Sequence, residues 1–374
     1  MDNQTLLSSF NITDKGFLPS KIERLPSYFD PWENMISKLS VLNKEKRTRE
    51  YVNTIIPLLD DNQLHGLGEY QRAYSLLTLI GNSYMWSNGM NNFPKVLPKQ
   101  IAIPLCNVSD KLGLKPILTH ATVDLYNWEI KDPSKPFGID NLRSLNLLTG
   151  CRDEEWFYLV MVDIEEKASK IYPLMLKIFE HLDWNSNNNS HVIVVECLEK
   201  ISNIIHDIGM VTKRTRENCS PEFFYNTLRP YLRGTEESGL IYEGVSDEPA
   251  HYSGGSAAQS SIFPVLDAFL GVTHYDKYFD KIIKYMPQKH QDFIQYVRNN
   301  CNLKSHLEKN KNDEIKEVFN KCLNKMDRFR KIHMGLVHSY IIEMSKSENS
   351  KGTGGTDLNG FLKNSINDTQ KATI

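Results

Sequence analysis

A histidine and an arginine lie one helical turn apart near the carboxyl end of the chain, among regularly spaced apolar residues. His333 lies on this apolar stripe and Arg330 on nearly the same face, whereas His338 is turned away from it. Neither an imidazole nor a guanidinium is cheap to bury without a partner. The pair fits an iron porphyrin, because imidazole binds iron and guanidinium binds a propionate. A histidine satisfied within an ordinary core is the alternative that the stripe leaves open.

Eight mostly small residues, GGSAAQSS at 254–261, open an apolar run that continues to residue 272. Ser256 followed by Gln259 three residues later forms a capping box, which predicts that a helix begins here. Gly254 and Gly255 lack a Cβ atom, so the backbone before this helix can come close to another group. The motif therefore suits a surface pressed against a flat ligand. The alternative is an ordinary helix start whose small residues let two helices pack closely.

The composition is that of an ordinary globular protein. The 374 residues are 40% hydrophobic and 24% charged, which allows a large core in one domain or two unequal ones. A formal net charge of −2 gives no reason to expect nucleic-acid binding. The six cysteines show no CxxC pairing, which indicates free thiols in a reducing compartment rather than disulfides or a zinc site. We see neither a signal peptide nor an apolar run of the roughly 20 residues that span a bilayer, and expect a cytoplasmic protein without membrane contact.

Helical spacing dominates the pattern of apolar residues and predicts an all-α fold. A linker at 131–144 precedes a long helical segment, so we expect a smaller, mostly helical N-terminal domain at 1–149 and a large helical domain at 150–374. Residues 345–356 are rich in Ser, Lys and Gly and are predicted to form a mobile loop. The predicted helices are 50–59, 70–86, 154–182, 191–208, 222–232, 259–270, 291–299 and 313–344, and residues 100–104 form an isolated apolar patch.

A series of short motifs runs along nearly the whole chain. It includes GFLP at 16–19, PKVLP at 94–98, KDPSKP at 131–136, LIYEG at 240–244, GGSAAQSS at 254–261 and KGTGGTDL at 351–358. In order and spacing the series resembles the indoleamine 2,3-dioxygenase family. The resemblance implies a haem enzyme that opens the indole ring of L-tryptophan, and possibly of other indoleamines, with O2. The product would be N-formylkynurenine, in the first step of the kynurenine pathway, and the cofactor haem b with ferrous iron in the active state.

The resemblance also assigns residues to the haem. It makes His333 the iron ligand and Arg330 the partner of a propionate. Asp267 matches a family aspartate near the same face of the haem, where it would orient the His333 ring. On the opposite face, the loop expected to hold dioxygen consists of Gly255, Ser256 and Ala257.

Other matching residues are assigned to the substrate. Phe223 matches the phenylalanine that stacks on indole, and Arg229 matches the arginine that holds the carboxylate with its planar fork. We expect Pro230 to turn Arg229 out at a helix end, with Arg233 as the competing candidate. Thr353 would be the loop residue nearest the substrate, unless the segment is only a linker before a last helix.

The dioxygen side of the pocket departs from the mammalian pattern. Phe157 keeps it aromatic, but Met161 stands where a serine points towards dioxygen, and a thioether cannot donate a hydrogen bond. His120 stands in place of a tyrosine, and Val123 in place of a cysteine. We hypothesise that His120 and Met161 reshape the indole pocket and weaken tryptophan binding.

Two other functions stay open. One is a non-catalytic, O2-binding haem protein, as some invertebrate myoglobins resemble this family; Met161 and His120 favour it, whereas Arg229 and Thr353 argue against it. The other is a haem-free helical scaffold, which would leave the His333–Arg330 pair unexplained. The expected partners are L-tryptophan, O2 and an unidentified electron donor, and we expect a monomer.

Overall fold

The computed structural model describes residues 2–21, 23–182, 188–309, 312–345, 352–353 and 357–374. Most of these residues are helical, which confirms the predicted all-α class. The helices are α1 (Asn3–Ser9), α2 (Asp30–Ile36), α3 (Leu39–Lys44), α4 (Thr48–Thr54), α5 (Gly66–Trp86), α6 (Lys99–Leu112), α7 (Arg152–Ser169), α8 (Ile171–Glu180), α9 (Asn188–Lys213), α10 (Thr215–Asn218), α11 (Pro221–Phe223), α12 (Ile262–Phe269), α13 (Lys277–Ile283), α14 (Gln288–Asn300), α15 (Leu303–Lys309), α16 (Asp313–Val337), α17 (Glu343–Ser345) and α18 (Leu358–Lys371).

Four short strands form two small sheets. They are β1 (Val96–Leu97), β2 (Trp128–Ile130), β3 (Leu142–Ser144) and β4 (Ile241–Tyr242). β1 pairs with β4 in parallel, with Val96 opposite Ile241, and β2 pairs with β3 antiparallel, with Trp128 opposite Ser144. The pairing of β1 with β4 ties distant parts of the chain together, whereas β2 and β3 lie close together in sequence.

The predicted long helices exist, but several boundaries differ. The segment 154–182 is two helices, α7 and α8, because Pro173 cannot donate a backbone hydrogen bond and therefore lies in the first turn of a new helix. The helix predicted at 50–59 ends at Thr54, three residues before Pro57, because proline disfavours a helical conformation in the residue before it. The segment 313–344 is α16 followed by a π turn, His338–Ile342, and α17.

The interpretation of residues 100–104 as an isolated patch was wrong. They belong to α6, whose buried residues Ile101, Leu105, Val108 and Leu112 recur at helical spacing, and Gly113 ends the helix at φ 65°. Pro104 lies inside this helix, which made the apolar run look too short for one. Sequence reasoning also missed shorter helices, namely α1, α2, α3, α13, α15 and α18.

The core of the large helical body is the pair α9 and α16, with α7 and α8 against α9 and α18 against α16. On the other side, α5 is buried along most of its length and packs on α6. Within the described residues, no helix is both long and apolar enough to cross a membrane. The domain boundary near residue 149 stays a prediction, and most of the predicted mobile loop, 345–356, lies outside the described residues.

Candidate active site

A large cavity surrounds His333 near the end of α16. It consists of two adjoining spaces that share part of their lining. The residues that line both spaces are Met161, Thr212, Ala257, Ala258, His333, Phe361 and Leu362.

His333 has the properties of a metal ligand. Its half-buried ring stacks on Phe329, with centroids 6.4 Å apart, and makes no hydrogen bond to the described residues. Burial, and then the charge of Arg330, lower the pKa of His333 to about 4, so the imidazole is neutral and able to bind a metal. No group of three or more His, Cys, Asp or Glu side chains in the described ranges could hold a bare metal ion. A metal at His333 would therefore need further ligands from its own cofactor.

Arg330 is buried one turn before His333 and is mostly occupied by protein. Its Nη2 donates to the Asp267 carboxylate, and its Nη1 donates to the side chain and carbonyl oxygen of Ser365. Arg330 Nε is buried and finds no acceptor among the described residues. The Nε–H thus remains for a carboxylate on a bound group, which is compatible with the predicted propionate contact.

The predicted direct role of Asp267 towards His333 needs correction. Its carboxylate binds Arg330 and lies 3.0 Å from His274 Nε2, and not on the His333 ring. His274 Nδ1 in turn lies 3.0 Å from Asp368 on α18. Burial by itself raises the pKa of Asp267, but Arg330 and His274 together have the larger, opposite effect and lower this pKa below its usual value. The carboxylate is therefore ionised. Asp267 therefore reaches His333 only through Arg330.

The capping box exists, but it caps a short 3₁₀ turn rather than α12. Ser256 Oγ accepts from the Ala258 backbone N–H, and Ser256 N–H donates to Gln259 Oε1. The turn is Ala257–Gln259, and α12 begins only at Ile262. The lining includes Gly255, Ser256 and Ala257, as predicted for a ligand-facing loop.

The two glycines have different neighbours. A Cβ atom on Gly254 would lie 2.2 Å from the Leu232 carbonyl oxygen, so this glycine allows close packing of protein on protein. A Cβ atom on Gly255 would lie 2.7 Å from Leu118 Cδ2. Thr353 holds the backbone of both glycines in place. Its hydroxyl donates to Gly255 O at 2.6 Å, and its carbonyl accepts from Gly254 N–H at 3.2 Å.

His120 lies in the wall of the cavity and is held by two carboxylates. Its Nδ1 lies 2.6 Å from Asp124 Oδ2, an ion contact rather than a straight hydrogen bond, and its Nε2 lies 3.0 Å from Glu165 Oε1. Ser260 Oγ donates to Glu165 at 2.8 Å, and His120 N–H donates to Gln259 Oε1 at 2.9 Å. Burial lowers the pKa of His120, but Asp124 and Glu165 outweigh it and raise the pKa to about 10. The imidazole is therefore a buried cation.

The structure brings only some of the predicted substrate residues to the cavity. Phe157, Met161, His120 and Thr353 line it, whereas Phe223 and Arg229 are not among its described lining residues. The helix is interrupted by a π turn, Phe224–Leu228, which shifts the direction of every following side chain. Phe224 and Leu232 line the cavity from this segment instead.

The predicted backbone conformation of Arg229 was also wrong. Arg229 has helical φ and ψ angles of −55° and −35°, so Pro230 does not turn it out of the helix. Its guanidinium lies over the Tyr225 ring at 5.3 Å, and burial lowers its pKa. Sequence reasoning did not find several lining residues, because only the tertiary fold brings them together: Asp124, Thr212, Tyr278, Phe361 and Leu362.

Known proteins align with this chain over nearly its full length. A family model described as indoleamine 2,3-dioxygenase matches residues 6–372. Indoleamine 2,3-dioxygenase 1 of Rattus norvegicus is 33% identical, with 100% of this chain and 96% of the relative aligned. A protein named myoglobin from Haliotis madaka is 32% identical, with 98% of each chain aligned. This chain therefore belongs to the indoleamine 2,3-dioxygenase family.

Proposed function

We propose that this protein is a haem-dependent dioxygenase that opens the indole ring of L-tryptophan with O2 to give N-formylkynurenine. Family membership supports the reaction class. The observation that carries the proposal is His333, a neutral imidazole in the lining of the cavity that has no hydrogen bond among the described residues. Haem b, when bound, supplies the iron that activates O2.

The side chains around the cavity would bind and orient. His333 would hold the iron, and Arg330, fixed by Asp267, would offer its Nε–H to a propionate. Ser256 Oγ accepts from the backbone, so the hydroxyl proton stays available for a hydrogen bond to dioxygen. Thr353 holds the 254–255 backbone and helps to exclude water from the site.

We assign the substrate head group to the segment that begins with α11. Phe223 and Arg229 lie on the same segment as Phe224 and Leu232, which line the cavity, and this proximity in the chain supports the assignment. The Arg229 guanidinium then binds the carboxylate. We further propose a cytoplasmic monomer that receives electrons from a donor still to be identified.

A second function is an O2-binding haem protein without catalysis. The relative named myoglobin, aligned over 98% of both chains, is the observation in its favour. Met161 in the cavity wall is compatible with it, because a thioether offers no donor to a reacting dioxygen.

One experiment separates these functions. Visible spectra of the reduced, haem-loaded protein are recorded in air with and without L-tryptophan, while N-formylkynurenine is followed by mass spectrometry. A haem spectrum with product growth supports the dioxygenase, and a stable oxygenated spectrum without product supports the carrier. His333→Ala should lose stoichiometric haem, whereas His338→Ala, an exposed control five residues on, should retain it. Full haem with a normal Soret band in His333→Ala would refute the ligand assignment.

A further inference from the structure

Asp124 carries a buried carboxylate oxygen that has nothing to bind. Its side chain is 6% exposed and lines the cavity, yet Asp124 Oδ1 has no hydrogen-bond partner among the described residues. Leaving such an atom unsatisfied costs folding free energy, and the usual explanation is a missing water or ligand. A π turn, Ala121–Leu125, sets the direction of this side chain, and π turns are frequent at functional sites.

The carboxylate is held in place by its neighbours. Asp124 Oδ2 lies 2.6 Å from His120 Nδ1, and the far side of the imidazole lies 3.0 Å from Glu165. Glu165 also has an oxygen without a partner among the described residues, but it is fully buried and does not line the cavity. Of the two carboxylates, only Asp124 can therefore meet a ligand. The unpartnered oxygen of the Asp124 carboxylate can accept a hydrogen bond but cannot donate one, which favours a hydrogen-bond donor on the ligand.

The residues that line the cavity with Asp124 indicate which kind of hydrogen-bond donor the ligand would bring to it. The lining of the same cavity includes the apolar and aromatic side chains of Val123, Phe157, Val160 and Met161. Such a wall suits the ring of an aromatic amino acid better than its strongly hydrated ammonium or carboxylate group. Met161 supplies no strong acceptor for a ring N–H.

We propose that Asp124, held by His120, is a specificity-determining residue that accepts a hydrogen bond from an N–H or O–H donor on the aromatic ring of the substrate. The inference rests on the proposed function, because it assumes that the cavity receives an aromatic amino acid. It assigns to the ring donor a role in recognition and leaves the chemistry at the haem unchanged.

The test compares two ligands that differ only in the ring donor. L-tryptophan carries the ring N–H, and its benzothiophene analogue has sulfur there with the same ammonium and carboxylate. Dissociation constants are measured by equilibrium dialysis on the ferric, haem-loaded protein. The wild type should bind tryptophan about tenfold more tightly, as one hydrogen bond to a charged acceptor requires.

Asp124→Asn is the informative variant because it keeps the shape of the side chain. The amide oxygen stays towards His120 Nδ1, so the amide N–H₂ group takes the cavity position and repels the ring N–H. The tenfold preference should therefore fall to one or below. Asp163→Asn is the matched control, since Asp163 is equally buried on α7, pairs with Lys167 at 3.5 Å and does not line the cavity.

The outcomes are distinct. Loss of the preference in Asp124→Asn, with the preference intact in Asp163→Asn, supports the inference. Equal binding of the two ligands by the wild type, or an unchanged preference in Asp124→Asn, overturns it while leaving the proposed function standing. An equal loss of affinity for both ligands in Asp124→Asn also overturns it, because the ammonium would then be the donor. Binding of neither ligand by the wild type overturns both the inference and the proposed function.

Discussion

His120 shows how a single residue depends on partners that lie far away in the sequence. The sequence identified it as a departure from the mammalian pattern at a pocket position. It could not show that Asp124 and Glu165 enclose the ring, because Glu165 lies 45 residues further on. The hypothesis that His120 and Met161 together weaken tryptophan binding stays a prediction, and its test has to allow for the loss of this buried ion pair in any His120 variant.

Replacing His120 by tyrosine should destabilise the fold. The change leaves two buried carboxylates without their cation, and breaking a buried ion pair in this way costs about 3–5 kcal/mol. The double variant His120→Tyr/Asp124→Leu should recover at least half of that loss, because one of the orphaned charges is gone. Urea unfolding measures both, with the exposed His338→Tyr as control. A single variant as stable as the wild type would contradict the buried ion pair.

The His120 cation should also make stability depend on pH. Its folded pKa of about 10 lies above the usual 6.5, so the protonated form favours the folded state. This stabilisation is complete below pH 6.5 and is lost as pH rises through 10. The groups that face the ring are Asp124, Glu165 and Ser260, with the neutral His290 nearby.

The measurement is the difference in unfolding free energy between wild type and His120→Gln. It should be largest at pH 6 and should shrink steadily towards pH 10, because the variant has no proton to lose at this position. His338→Gln removes an exposed imidazole and should give a small difference that hardly changes over this range. A wild-type advantage that grows with pH would mean that the ring is neutral.

At the scale of helices and turns, contacts between residues close in sequence could be predicted, whereas contacts between distant residues could not. The capping pair Ser256 and Gln259 was recognisable because both bonds lie within four residues. The second bond of Gln259, to the backbone of His120, joins positions 139 residues apart and leaves no local signal. The π turn after Phe223 was missed as well, since the spacing of apolar residues over 222–232 predicts one continuous helix.

The glycine pair before the capped turn should tolerate alanine unequally. In Gly254→Ala the new Cβ atom meets backbone, 2.2 Å from Leu232 O and 2.4 Å from Gly234 N, which cannot move cheaply. We expect a loss of about 1–3 kcal/mol. In Gly255→Ala the Cβ atom meets the end of the Leu118 side chain, which can rotate, so the loss should be smaller. Thermal unfolding of the two variants gives the comparison, and equal losses would show that the Leu232–Gly234 contact does not constrain this loop.

At the scale of the whole molecule, the site depends on the last helix of the chain. The sequence placed His333 and Arg330 on one face of a long helix, but gave no sign that α18 packs against α16 and supplies part of the cavity. Phe361 and Leu362 line both spaces of the cavity. Ser365 and Asp368 bind Arg330 and His274, so polar contacts join α18 to α16 and to the loop between α12 and α13.

A chain that ends at residue 356 should therefore lose far more than one helix. Removing α18 opens the cavity to solvent and leaves the buried Arg330–Asp267 pair without its Ser365 contact, while His274 loses Asp368. The expected result is a lower unfolding midpoint in urea together with haem below stoichiometric content after haem-supplemented expression. A chain that ends at Lys371 keeps all of α18 and is the matched control. Full haem content and an unchanged midpoint in the chain ending at 356 would mean that α12 and α16 alone hold the site, with α18 only covering it.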